Sequence, residues 1–515
     1  MLTLSSLLVN SIAQHGPRSA LYCDGVSLSY AELDLRSSRL AAFLSSAGIG
    51  RGDAVGLHLR SSCEFVIADV AILKLGAVKV PLNELMSPAE LRYCISHSKV
   101  RALISHRSLT SPANPAANEA ETLRLRIEVL EGGQPTPGAV PWPRALEHQA
   151  DAFEPNATVA DDTAMIIYTG GTTGAPKGVR HLQGRLAVNL FAHLVCGDIR
   201  QDEVMLLATP LSHAAGFQIQ ACLLQGGLVV LASKFEPRAF LDLARTHEAT
   251  WTFAVPTMIY RLLDALGPGE KGPPSFRTIV YGAAPMASDR LRSAIDTFGP
   301  VLLQIYGQTE CPNFITVLSR HEHLRASLLA SCGRPVPFVD VEIRDGETVC
   351  APGAVGELCV RSPYLLGEYF ENLHATAEAI VDGWLHTADL AYQDEEGYIF
   401  LVDRKKDMII SGGLNIYSVE VEAALRAHPA VADVGVVGLP DEDWGERVVA
   451  VVVARQSVDE AELRAFARER LSGYKAPKQI VFIAELPLTK YGKTDKVTLR
   501  ALADRASPKT DVRSQ

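Results

Sequence analysis

The chain has 515 residues, a net charge of −10, 47% hydrophobic residues and 21% charged residues. This length allows a large core and at least two domains of roughly 100–200 residues each, and the composition is ordinary for a globular protein. The negative net charge excludes a global basic surface for nucleic acid or anionic membranes, so we expect no nucleic-acid partner.

The cysteines and the N-terminus both favour a cytoplasmic location. The nine cysteines are scattered, and none forms a Cys-x-x-Cys pair, which argues against a zinc site and a disulfide framework. The first 14 residues contain no Lys or Arg, whereas a secretory signal peptide begins with a positively charged segment. Residues 204–233 contain no Asp, Glu, Lys or Arg, but their Pro, His, Gln and Gly residues predict a buried strand, a turn and a core helix. We therefore expect no membrane span.

Residues 1–110 alternate between helical and strand patterns. The predicted elements are a helix over 29–44 that glycines end, a strand at 55–59, a helix over 65–73 and a strand at 78–81. This alternation predicts an α/β sheet with helices on its faces. Residues 107–163 are richer in Pro, Asn and Ala, and we interpret them as loops around one strand at 125–130.

A stretch rich in glycine and threonine, residues 168–179 (YTGGTTGAPKGV), follows a predicted buried strand at 164–168. Consecutive glycines let the backbone approach a ligand, while three threonines and Lys177 add hydroxyls and a positive charge. The spacing is not that of the Walker loop. A flexible surface loop is the alternative, but threonines and a lysine directly after a buried strand favour polyphosphate binding.

Two later stretches carry weaker signals. His213 lies among small and apolar residues in TPLSHAAGF, where a satisfied core histidine is the commoner role. The string GPGEKG at 267–272 matches G-x-G-x-x-G but follows a helical pattern, whereas a dinucleotide site needs a preceding strand. We interpret this string as a surface loop.

Two predicted buried strands, 278–285 and 301–310, end in residues suited to a nucleotide. Strands of an α/β sheet deliver their carboxyl ends to a ligand crevice. Two alanines after the first strand leave room for a flat ring, and Tyr306 can stack on one. Thr309 can contact phosphate, and Glu310 is a hard oxygen ligand suited to Mg²⁺. The alternative is a buried strand with an incidental turn.

The last third of the chain predicts a linker and a small domain. Asp389, in WLHTADL, has the commoner role of a helix cap or turn residue. A charge cluster and a Gly-Gly pair within 402–417 predict a solvated linker between domains. Helix and strand patterns over 418–506 predict a compact α/β domain, in which the lysines of LTKYGKT would ordinarily be solvated surface charges. We expect residues 507–515 to be disordered.

Together these strings resemble the signatures of the adenylate-forming superfamily, which includes acyl-CoA synthetases, luciferases and the adenylation domains of peptide synthetases. The matching strings are YTGGTTGAPKG, YGQTE, HTADL, DRKKDMIISGG and the turn before Lys493. With the predicted N-terminal elements, the resemblance extends over nearly the whole chain. Within the superfamily, the chain resembles the acid–CoA ligase branch, which includes 4-chlorobenzoate, 4-coumarate and fatty-acid CoA ligases. The fold that this implies is α/β, with a large N-terminal domain of several subdomains (1–405) and a small mobile C-terminal α/β domain (406–506).

The resemblance also implies roles for individual residues. Lys493, Glu310 and Thr169 would be catalytic, with Glu310 holding the metal; Lys490 does not match the catalytic position. Lys406 would be the hinge, and Gly412 with Gly413 would line the CoA tunnel. The implied ATP- and AMP-binding residues are Thr169, Gly170, Gly171, Thr172, Thr173, Gly174, Lys177, Ala283, Ala284, Tyr306, Gly307, Thr309, Asp389 and Arg404.

The acyl pocket is the least specific part of the resemblance. The implied lining residues are His213, Phe217, Gln218, Tyr281, Gly282, Ala283, Ile305, Asn313 and Phe314. Ala214 aligns with the Asp that pairs with an α-ammonium in peptide-synthetase domains, which argues against an amino acid substrate. The chain departs from the family at Ala388, where Gly is usual, and at Ser418, where Pro is usual and where we expect a looser helix start.

The implied function is ATP-dependent conversion of an aromatic or medium-sized aliphatic acid to an acyl-adenylate, followed by CoA thioester formation. The cofactors are then ATP and Mg²⁺, with CoA as the thiol acceptor. One alternative is a stand-alone adenylation protein that loads an acyl carrier protein, and another is a homologue that binds nucleotide without catalysis. We expect a monomer or homodimer.

Overall fold

The computed structural model describes residues 2–109, 121–148, 152–169, 176–267, 269–441, 443–489 and 494–506. Residue contacts divide the chain into two compact units. The first unit comprises Met1–Val341 and Val360–Leu385, and the second comprises Glu342–Cys359 and His386–Gln515. The predicted tail at 507–515 lies outside the described residues, and the predicted domain boundary at 405/406 stays a prediction.

Helices account for much of both units. Those of the first unit are α1 (Leu4–His15), α2 (Tyr30–Ser46), α3 (Cys63–Leu75), α4 (Pro88–His97), α5 (Trp142–Leu146), α6 (Gln183–Cys196), α7 (Ala214–Gln225), α8 (Pro237–Thr246), α9 (Pro256–Ala265), α10 (Ser288–Phe298) and α11 (Leu373–Ala379). Those of the second unit are α12 (Ser418–Arg426), α13 (Glu460–Arg470) and α14 (Lys496–Ala506).

The strands up to residue 335 all lie in the first unit. They are β1 (Ser19–Cys23), β2 (Val26–Ser29), β3 (Ala54–His58), β4 (Val78–Pro81), β5 (Ala102–His106), β6 (Leu125–Val129), β7 (Val140–Pro141), β8 (Thr163–Thr169), β9 (Lys177–Leu182), β10 (Val204–Leu207), β11 (Leu228–Leu231), β12 (Trp251–Ala254), β13 (Thr278–Gly282), β14 (Leu302–Gln308), β15 (Cys311–Leu318) and β16 (Arg334–Pro335).

The later strands are mostly those of the second unit. They are β17 (Asp340–Asp345), β18 (Thr348–Val349), β19 (Gly356–Arg361), β20 (Glu368–Tyr369), β21 (Ile380–Val381), β22 (Trp384–Gln393), β23 (Ile399–Arg404), β24 (Ile409–Ser411), β25 (Leu414–Ile416), β26 (Val431–Asp441), β27 (Gly445–Ala454) and β28 (Gln479–Phe482). Of these, β20 and β21 belong to the first unit.

A nine-stranded sheet forms one half of the first unit. Its order is β16-β15-β14-β13-β12-β10-β11-β1-β2, and the strands from β14 to β1 run parallel. The short apolar runs of these strands pack their inner side chains against α8, α9 and α10, as expected of strands buried on both faces. The parallel order brings the carboxyl ends of β13 and β14 to the same edge, where the predicted nucleotide residues lie.

An eight-stranded sheet, in the order β20-β9-β8-β4-β3-β5-β6-β7, forms the other half. Strands β8, β4, β3, β5, β6 and β7 are parallel, and β9 returns antiparallel beside β8. One face of this sheet packs on α4. The antiparallel return places the start of β9 beside the end of β8, at the carboxyl edge of the sheet.

In the second unit, a ladder of strands in the order β18-β17-β19-β22-β23 precedes a separate five-stranded sheet. That sheet has the order β25-β24-β27-β26, with β28 beside β27. Alternate residues of β27 face opposite sides: Val448 and Ala450 pack with α12 and α13, while Val449 packs with α14. A two-residue period in an apolar strand thus buries both faces of the sheet.

The predicted α/β class is confirmed, with a large and a small unit. The predicted strand at 125–130 is β6, but β7 and the five-residue α5 were not predicted, because both are too short to show a period. The 204–233 stretch forms the predicted strand and core helix, β10 and α7, and also a second strand, β11, which was not predicted. Within the described ranges no helix is both long and apolar enough to cross a bilayer.

Candidate active site

The glycine- and threonine-rich stretch connects two antiparallel neighbours of the eight-stranded sheet. Thr169, the last residue of β8, is directly opposite Lys177, the first residue of β9. The Thr169 hydroxyl lies 3.5 Å from the Lys177 carbonyl oxygen, at the limit of a hydrogen bond. Residues 170–175 lie outside the described residues, so the roles of Gly170, Gly171, Thr172, Thr173 and Gly174 stay predictions. Both ends of the stretch are nevertheless held by paired strands.

Tyr369 connects Lys177 to Glu310, the predicted metal ligand. Because β20 pairs with β9, Tyr369 stands opposite Val179, two residues after Lys177. The Lys177 Nζ lies 4.8 Å from the centre of the Tyr369 ring, within the range of a cation–π interaction. The Tyr369 hydroxyl donates to Glu310 Oε1 at 2.7 Å. Burial and the Glu310 carboxylate raise the pKa of Tyr369, so the hydroxyl keeps the proton that it donates.

The chemistry of Glu310 fits a magnesium ion shared with a nucleotide. Its carboxylate is half-buried and Oε1 is bonded to Tyr369, which leaves Oε2 for a cation. Among the described residues, no three or more His, Cys, Asp or Glu side chains cluster in a way that would hold a metal. Mg²⁺ is commonly bound by one or two carboxylates and by substrate phosphates, so one carboxylate suffices for a metal that arrives with a polyphosphate.

His181 ties the segment before Glu310 to β9. Its Nε2 donates to the Thr309 carbonyl oxygen at 2.9 Å, which fixes the tautomer with Nδ1 as an acceptor. Burial lowers the pKa of His181 to about 4, so the ring is neutral at pH 7. Nδ1 is buried and has no hydrogen-bond partner among the described residues. His181 thus positions Thr309 without adding charge to the site.

The residues predicted to surround the adenine ring lie at the carboxyl ends of β13 and β14. Ala283, directly after β13, has a φ of 67°, a left-handed conformation that costs a residue with a Cβ about 1–2 kcal/mol. Such strain is concentrated at functional sites. A Cβ on Gly307 would lie 2.6 Å from the Asn313 nitrogen, so the chain requires glycine there. Tyr306 is buried in β14 opposite Thr316 of β15, and Ala284 follows Ala283.

Three of the residues predicted to line the acyl pocket lie at the start of α7. His213 is the residue before the helix, and Phe217 and Gln218 follow in its first half. The Phe217 ring meets His181 edge-on, with centroids 6.3 Å apart, and lies nearly parallel to His193 at 6.1 Å. These contacts join α7 to β9 and α6.

Asn313 and Phe314 both contact His193, although consecutive strand residues normally face opposite sides. Asn313 has a φ of 63°, which breaks the alternation of β15. Its Nδ2 donates to His193 Nε2 at 2.8 Å and to the Ala214 carbonyl oxygen at 3.3 Å, while the Phe314 ring packs edge-on against His193. His193 Nδ1 donates to the Asn189 carbonyl oxygen. Burial lowers the pKa of His193 to about 4, so this ring is also neutral.

The structure separates Tyr281 from Gly282, two residues predicted to share the acyl pocket. Tyr281 lies in the core beneath α8–α10, with its hydroxyl 2.9 Å from His323 Nε2 and 3.1 Å from Gln304 Oε1. Gly282 faces the other side of β13, because neighbouring strand residues alternate. A Cβ there would lie 2.4 Å from the carbonyl oxygen of Ile305, its partner in β14. We therefore keep Gly282 and Ile305 in the proposed pocket and leave Tyr281 out.

Asp389 and Arg404 are opposite each other in the second unit, where β22 pairs with β23. Arg404 Nε lies 3.1 Å from Asp389 Oδ1, and the Asp389 side chain is only 9% exposed. A carboxylate has two oxygens and about four acceptor sites, so Asp389 can accept further hydrogen bonds while Arg404 is bound. The pair therefore offers an oriented carboxylate beside a guanidinium.

Ala388, where the family usually has glycine, has a left-handed φ of 57°. Two backbone contacts hold this conformation: its N–H donates to Glu357 Oε1 at 3.0 Å, and its carbonyl oxygen accepts from Lys405 N at 2.9 Å. An alanine therefore holds, directly before Asp389, a left-handed conformation that glycine would adopt without strain.

The predicted hinge and tunnel residues follow in the same unit. Lys406 is exposed, and desolvation together with Arg404 lowers its pKa. Gly412 and Gly413, with φ of 60° and 76°, form the two-residue turn between β24 and β25, as in a type I′ hairpin. A Cβ on Gly412 would lie 2.8 Å from the Trp444 ring. Lys493 lies outside the described residues, so its catalytic role stays a prediction.

The predicted loosening at Ser418 is wrong. Ser418 is fully buried at the start of α12, and both its N–H and its hydroxyl donate to Asp403 Oδ2, at 2.5 and 2.8 Å. Its hydroxyl oxygen also accepts from Lys496 Nζ at 2.6 Å. Serine therefore fixes the helix start by hydrogen bonds that a proline, which has no N–H, could not make.

Three residues of the candidate site were not predicted: Tyr369, His181 and His193. Tyr369 reaches Glu310 from 59 positions away, in a segment without a recognisable motif. The two histidines lie in β9 and α6, in apolar patterns where a core role is the commoner one. A buried histidine in an amphipathic pattern was the only local signal, and it does not reveal the partner.

Comparison with known proteins places the chain in a large group of nucleotide-dependent enzymes. The model of the AMP-binding enzyme family matches residues 8–370, and that of the AMP-binding enzyme C-terminal domain matches residues 420–493. The chain is 36% identical to the medium/long-chain-fatty-acid–CoA ligase FadD8 of Mycobacterium tuberculosis, over 96% of this chain and 89% of that protein.

Two further proteins have similar coverage. The feruloyl-CoA synthase of an Amycolatopsis species is 37% identical over 92% of this chain and 94% of its own. The structure of o-succinylbenzoate CoA synthetase from Bacillus subtilis, in complex with its acyl-adenylate intermediate, matches with a TM-score of 0.85 and 31% identity over 96% of this chain and 97% of that chain.

Proposed function

The chain belongs to the AMP-binding enzyme family, and we propose that it works as an acid–CoA ligase, which forms an acyl-adenylate and then a CoA thioester. The observation that carries this proposal is the arrangement of Lys177, Tyr369 and Glu310 beside the threonine-rich stretch. It combines a cation and a proton donor from the eight-stranded sheet with a hard carboxylate that follows β14 of the nine-stranded sheet. The relatives named above as CoA ligases and synthases support the same reaction class.

In the first half-reaction, an oxygen of the substrate carboxylate attacks the α-phosphorus of ATP. The bond from that phosphorus to the bridging oxygen breaks, and pyrophosphate leaves with the electron pair. Two anions must approach each other, so fixed donors and positive charges lower the barrier. Lys177 supplies one charge, held in place over the Tyr369 ring. Thr169 and Thr309 supply hydroxyls for phosphate oxygens, and Lys493 is assigned to the reacting carboxylate and α-phosphate.

Glu310 would hold an Mg²⁺ that arrives with the nucleotide, and this metal would supply positive charge to the pyrophosphate leaving group. Tyr369 keeps the Glu310 carboxylate oriented through the 2.7 Å hydrogen bond to Oε1. Because burial and Glu310 itself raise the pKa of Tyr369, the donor stays protonated at neutral pH. The carboxylate therefore presents Oε2 at a fixed position.

The second unit supplies groups for the nucleoside and for the second half-reaction. Asp389 accepts hydrogen bonds from the ribose hydroxyls, and Arg404 balances its charge at 3.1 Å. In the second step the CoA sulfur attacks the acyl carbon, and AMP leaves with the electron pair of the mixed anhydride. We assign Lys406 as the hinge and Gly412–Gly413 as part of the thiol passage, with domain rotation between the two steps.

The acceptor and the cellular setting are the finer parts of the proposal. CoA is favoured over a carrier protein, because the named relatives are CoA ligases and synthases. The nine cysteines are all free thiols, which suits a reducing, cytoplasmic location. A monomer or homodimer remains the expected state.

Incubation of the purified protein with ATP, Mg²⁺ and a panel of aryl and aliphatic acids, with and without CoA, tests this proposal. Mass spectrometry should show AMP, pyrophosphate and an acyl-CoA that forms only when CoA is present. An acyl-adenylate that persists despite CoA would instead indicate a carrier-protein acceptor. If no acid led to pyrophosphate release from ATP, the result would favour the alternative of a homologue that binds nucleotide without catalysis.

A further inference from the structure

Gln218 is a fully buried amide without a hydrogen-bond partner. Its exposed fraction is 0%, and neither Nε2 nor Oε1 has a partner among the described residues. An unsatisfied buried polar group costs about 1–3 kcal/mol, so native structures seldom retain one without a reason. Gln220, on the same helix, shows the ordinary arrangement: its Nε2 donates to Asp69 at 3.0 Å.

Gln218 lies on the face of α7 that packs towards the nine-stranded sheet. It lies one helical turn after Ala214 and one turn before Cys222, so the three residues share a face. Cys222 Sγ contacts the Leu228 carbonyl oxygen at the start of β11, which directs this face to the sheet. The Ala214 carbonyl oxygen accepts from Asn313 Nδ2, so Gln218 lies beside the proposed acyl pocket.

The segment before α7 adds two further unsatisfied hydroxyls. Thr209 Oγ1 and Ser212 Oγ are buried without a partner among the described residues. This segment packs on the first turn of the helix, where a Cβ on Gly216 would lie 2.4 Å from the Leu211 carbonyl oxygen. Unsatisfied polar side chains are thus concentrated within ten residues around the pocket wall.

The same wall carries no unpaired charge in the described residues. The rings of His181 and His193, which flank Phe217, are both neutral because burial lowers their pKa to about 4. A buried ion pair also contacts α7: Asp69 of α3 and Lys79 of β4, which lie 2.9 Å apart. Gln220 reaches this pair, and Gln220 is about 200° around the helix from Gln218.

We propose that the acid substrate bears a neutral hydrogen-bonding group, of the hydroxyl type, on its tail, and that Gln218 binds this group. A hydroxyl can donate to Oε1 and accept from Nε2, and it brings no charge that the pocket would leave unpaired. A second carboxylate or an ammonium in the tail would meet only neutral dipoles, at a large desolvation cost. This inference rests on the proposed acid–CoA ligase function and names its substrate class.

Matched pairs of acids test the inference on the wild-type protein. The first pair is 4-hydroxycinnamate and 4-methylcinnamate, and the second is 10-hydroxydecanoate and undecanoate. Within the pair that fits the pocket, we expect kcat/KM for pyrophosphate release to be at least about 100-fold higher for the hydroxy acid, because the analogue leaves buried polar groups unpaired. Equal turnover within both pairs would overturn the inference but leave the ligase function intact. No pyrophosphate release with any acid would overturn both.

Substitution of Gln218 by methionine, which has nearly the same shape, completes the test. In Q218M the preference for the hydroxy acid should fall to less than about 5-fold, while the thermal midpoint stays equal or rises, because the unsatisfied amide is gone. Gln225→Met, at the other end of α7, is the control and should keep the wild-type ratio. If Q218M kept the preference for the hydroxy acid, a group other than Gln218 would bind the hydroxyl of the substrate tail.

Discussion

Tyr369 donates its hydroxyl hydrogen to Glu310 Oε1 at 2.7 Å, while its ring lies 4.8 Å from the Lys177 ammonium nitrogen. One side chain therefore contacts both the cation and the carboxylate of the proposed phosphate site. The ring fixes Lys177 without neutralising it, since a cation–π contact leaves the charge in place. The hydroxyl orients Glu310 without occupying both of its oxygens.

We expect Tyr369→Phe to weaken the response to Mg²⁺. Removal of a hydrogen bond to a metal ligand typically costs about 10–100-fold in metal affinity or activity. Pyrophosphate release, titrated with Mg²⁺ at fixed ATP, should require about 10-fold more metal for half-maximal rate. The phenylalanine ring keeps the contact with Lys177, so the fold should be unaffected.

Tyr392→Phe is the matched control, because its ring stacks on Phe400 in the second unit, 4.9 Å between centroids. This variant should titrate like the wild type. A Tyr369→Phe enzyme with an unchanged Mg²⁺ response would show that Glu310 needs no support from Tyr369, or that the metal binds elsewhere.

The fold followed from the sequence to a large extent, because alternating helix and strand patterns report local periodicity. The apolar run before Tyr306 likewise predicted the strand β14 and placed Glu310 near its end. Tyr369 could not be predicted, since its role depends on the pairing of β20 with β9, far away in sequence. Ser418 was misjudged because its partners Asp403 and Lys496 lie on other elements, and no local pattern reveals such a network.

The free energy of unfolding should decrease as the pH is lowered from 6.5 to 4. Burial lowers the pKa of four histidines to about 4, against 6.5 in the unfolded chain: His58, His181, His193 and His323. Between these values the unfolded chain binds more protons, so stability is complete above pH 6.5 and is lost as the pH falls towards 4. The loss from pH 7 to pH 5 is on the order of 1–2 kcal/mol for each histidine.

Urea unfolding at pH 7.5, 6.0 and 5.0 measures this effect. His323→Gln serves as a test of one site, because His323 donates through Nδ1 to the Ser319 carbonyl oxygen and contacts the Tyr281 hydroxyl through Nε2. On acidification this variant should lose less free energy of unfolding than the wild type. The difference should be at most the contribution of one histidine, on the order of 1–2 kcal/mol. Identical pH slopes would mean that His323 titrates normally in the folded protein.

Ala388→Gly should stabilise the second unit. Alanine pays for its left-handed φ of 57°, whereas glycine adopts this conformation freely but gains entropy in the unfolded chain. The net gain in the free energy of unfolding is about 0.5 kcal/mol, measured by urea titration. Ala391→Gly, a buried position in the same strand β22 without positive φ, is the control and should destabilise by a similar or larger amount. A loss of stability in Ala388→Gly would indicate that the alanine methyl makes a compensating contact.

Ser418→Pro, the residue usual in the family, should destabilise this protein. It removes two hydrogen bonds to the Asp403 carboxylate, and the Lys496 ammonium loses a partner as well. Hydrogen bonds to charged groups contribute about 1.5–3 kcal/mol each, so we expect a loss of about 3–6 kcal/mol in the free energy of unfolding. Ser418→Ala keeps the N–H and should lose about half as much. If the two variants unfolded at the same urea concentration, the backbone N–H would contribute nothing.

Lys493→Ala should separate the two half-reactions. The proposed role of Lys493 is to bridge the substrate carboxylate and the α-phosphate, which matters only while the adenylate forms. Pyrophosphate release should fall by at least about 100-fold, since loss of a positioned charge in a transition state costs about 3 kcal/mol or more. Thiolysis of a supplied acyl-adenylate by CoA should change by less than about 5-fold, because the proposed rotation of the small domain would remove this lysine before the thiol attacks. Lys490→Ala, three residues earlier in the sequence, is the control for charge and should leave both rates near wild type. An equal fall of both half-reactions in Lys493→Ala would mean that the lysine serves one fixed arrangement of the site, and domain rotation between the steps would then be wrong for this protein.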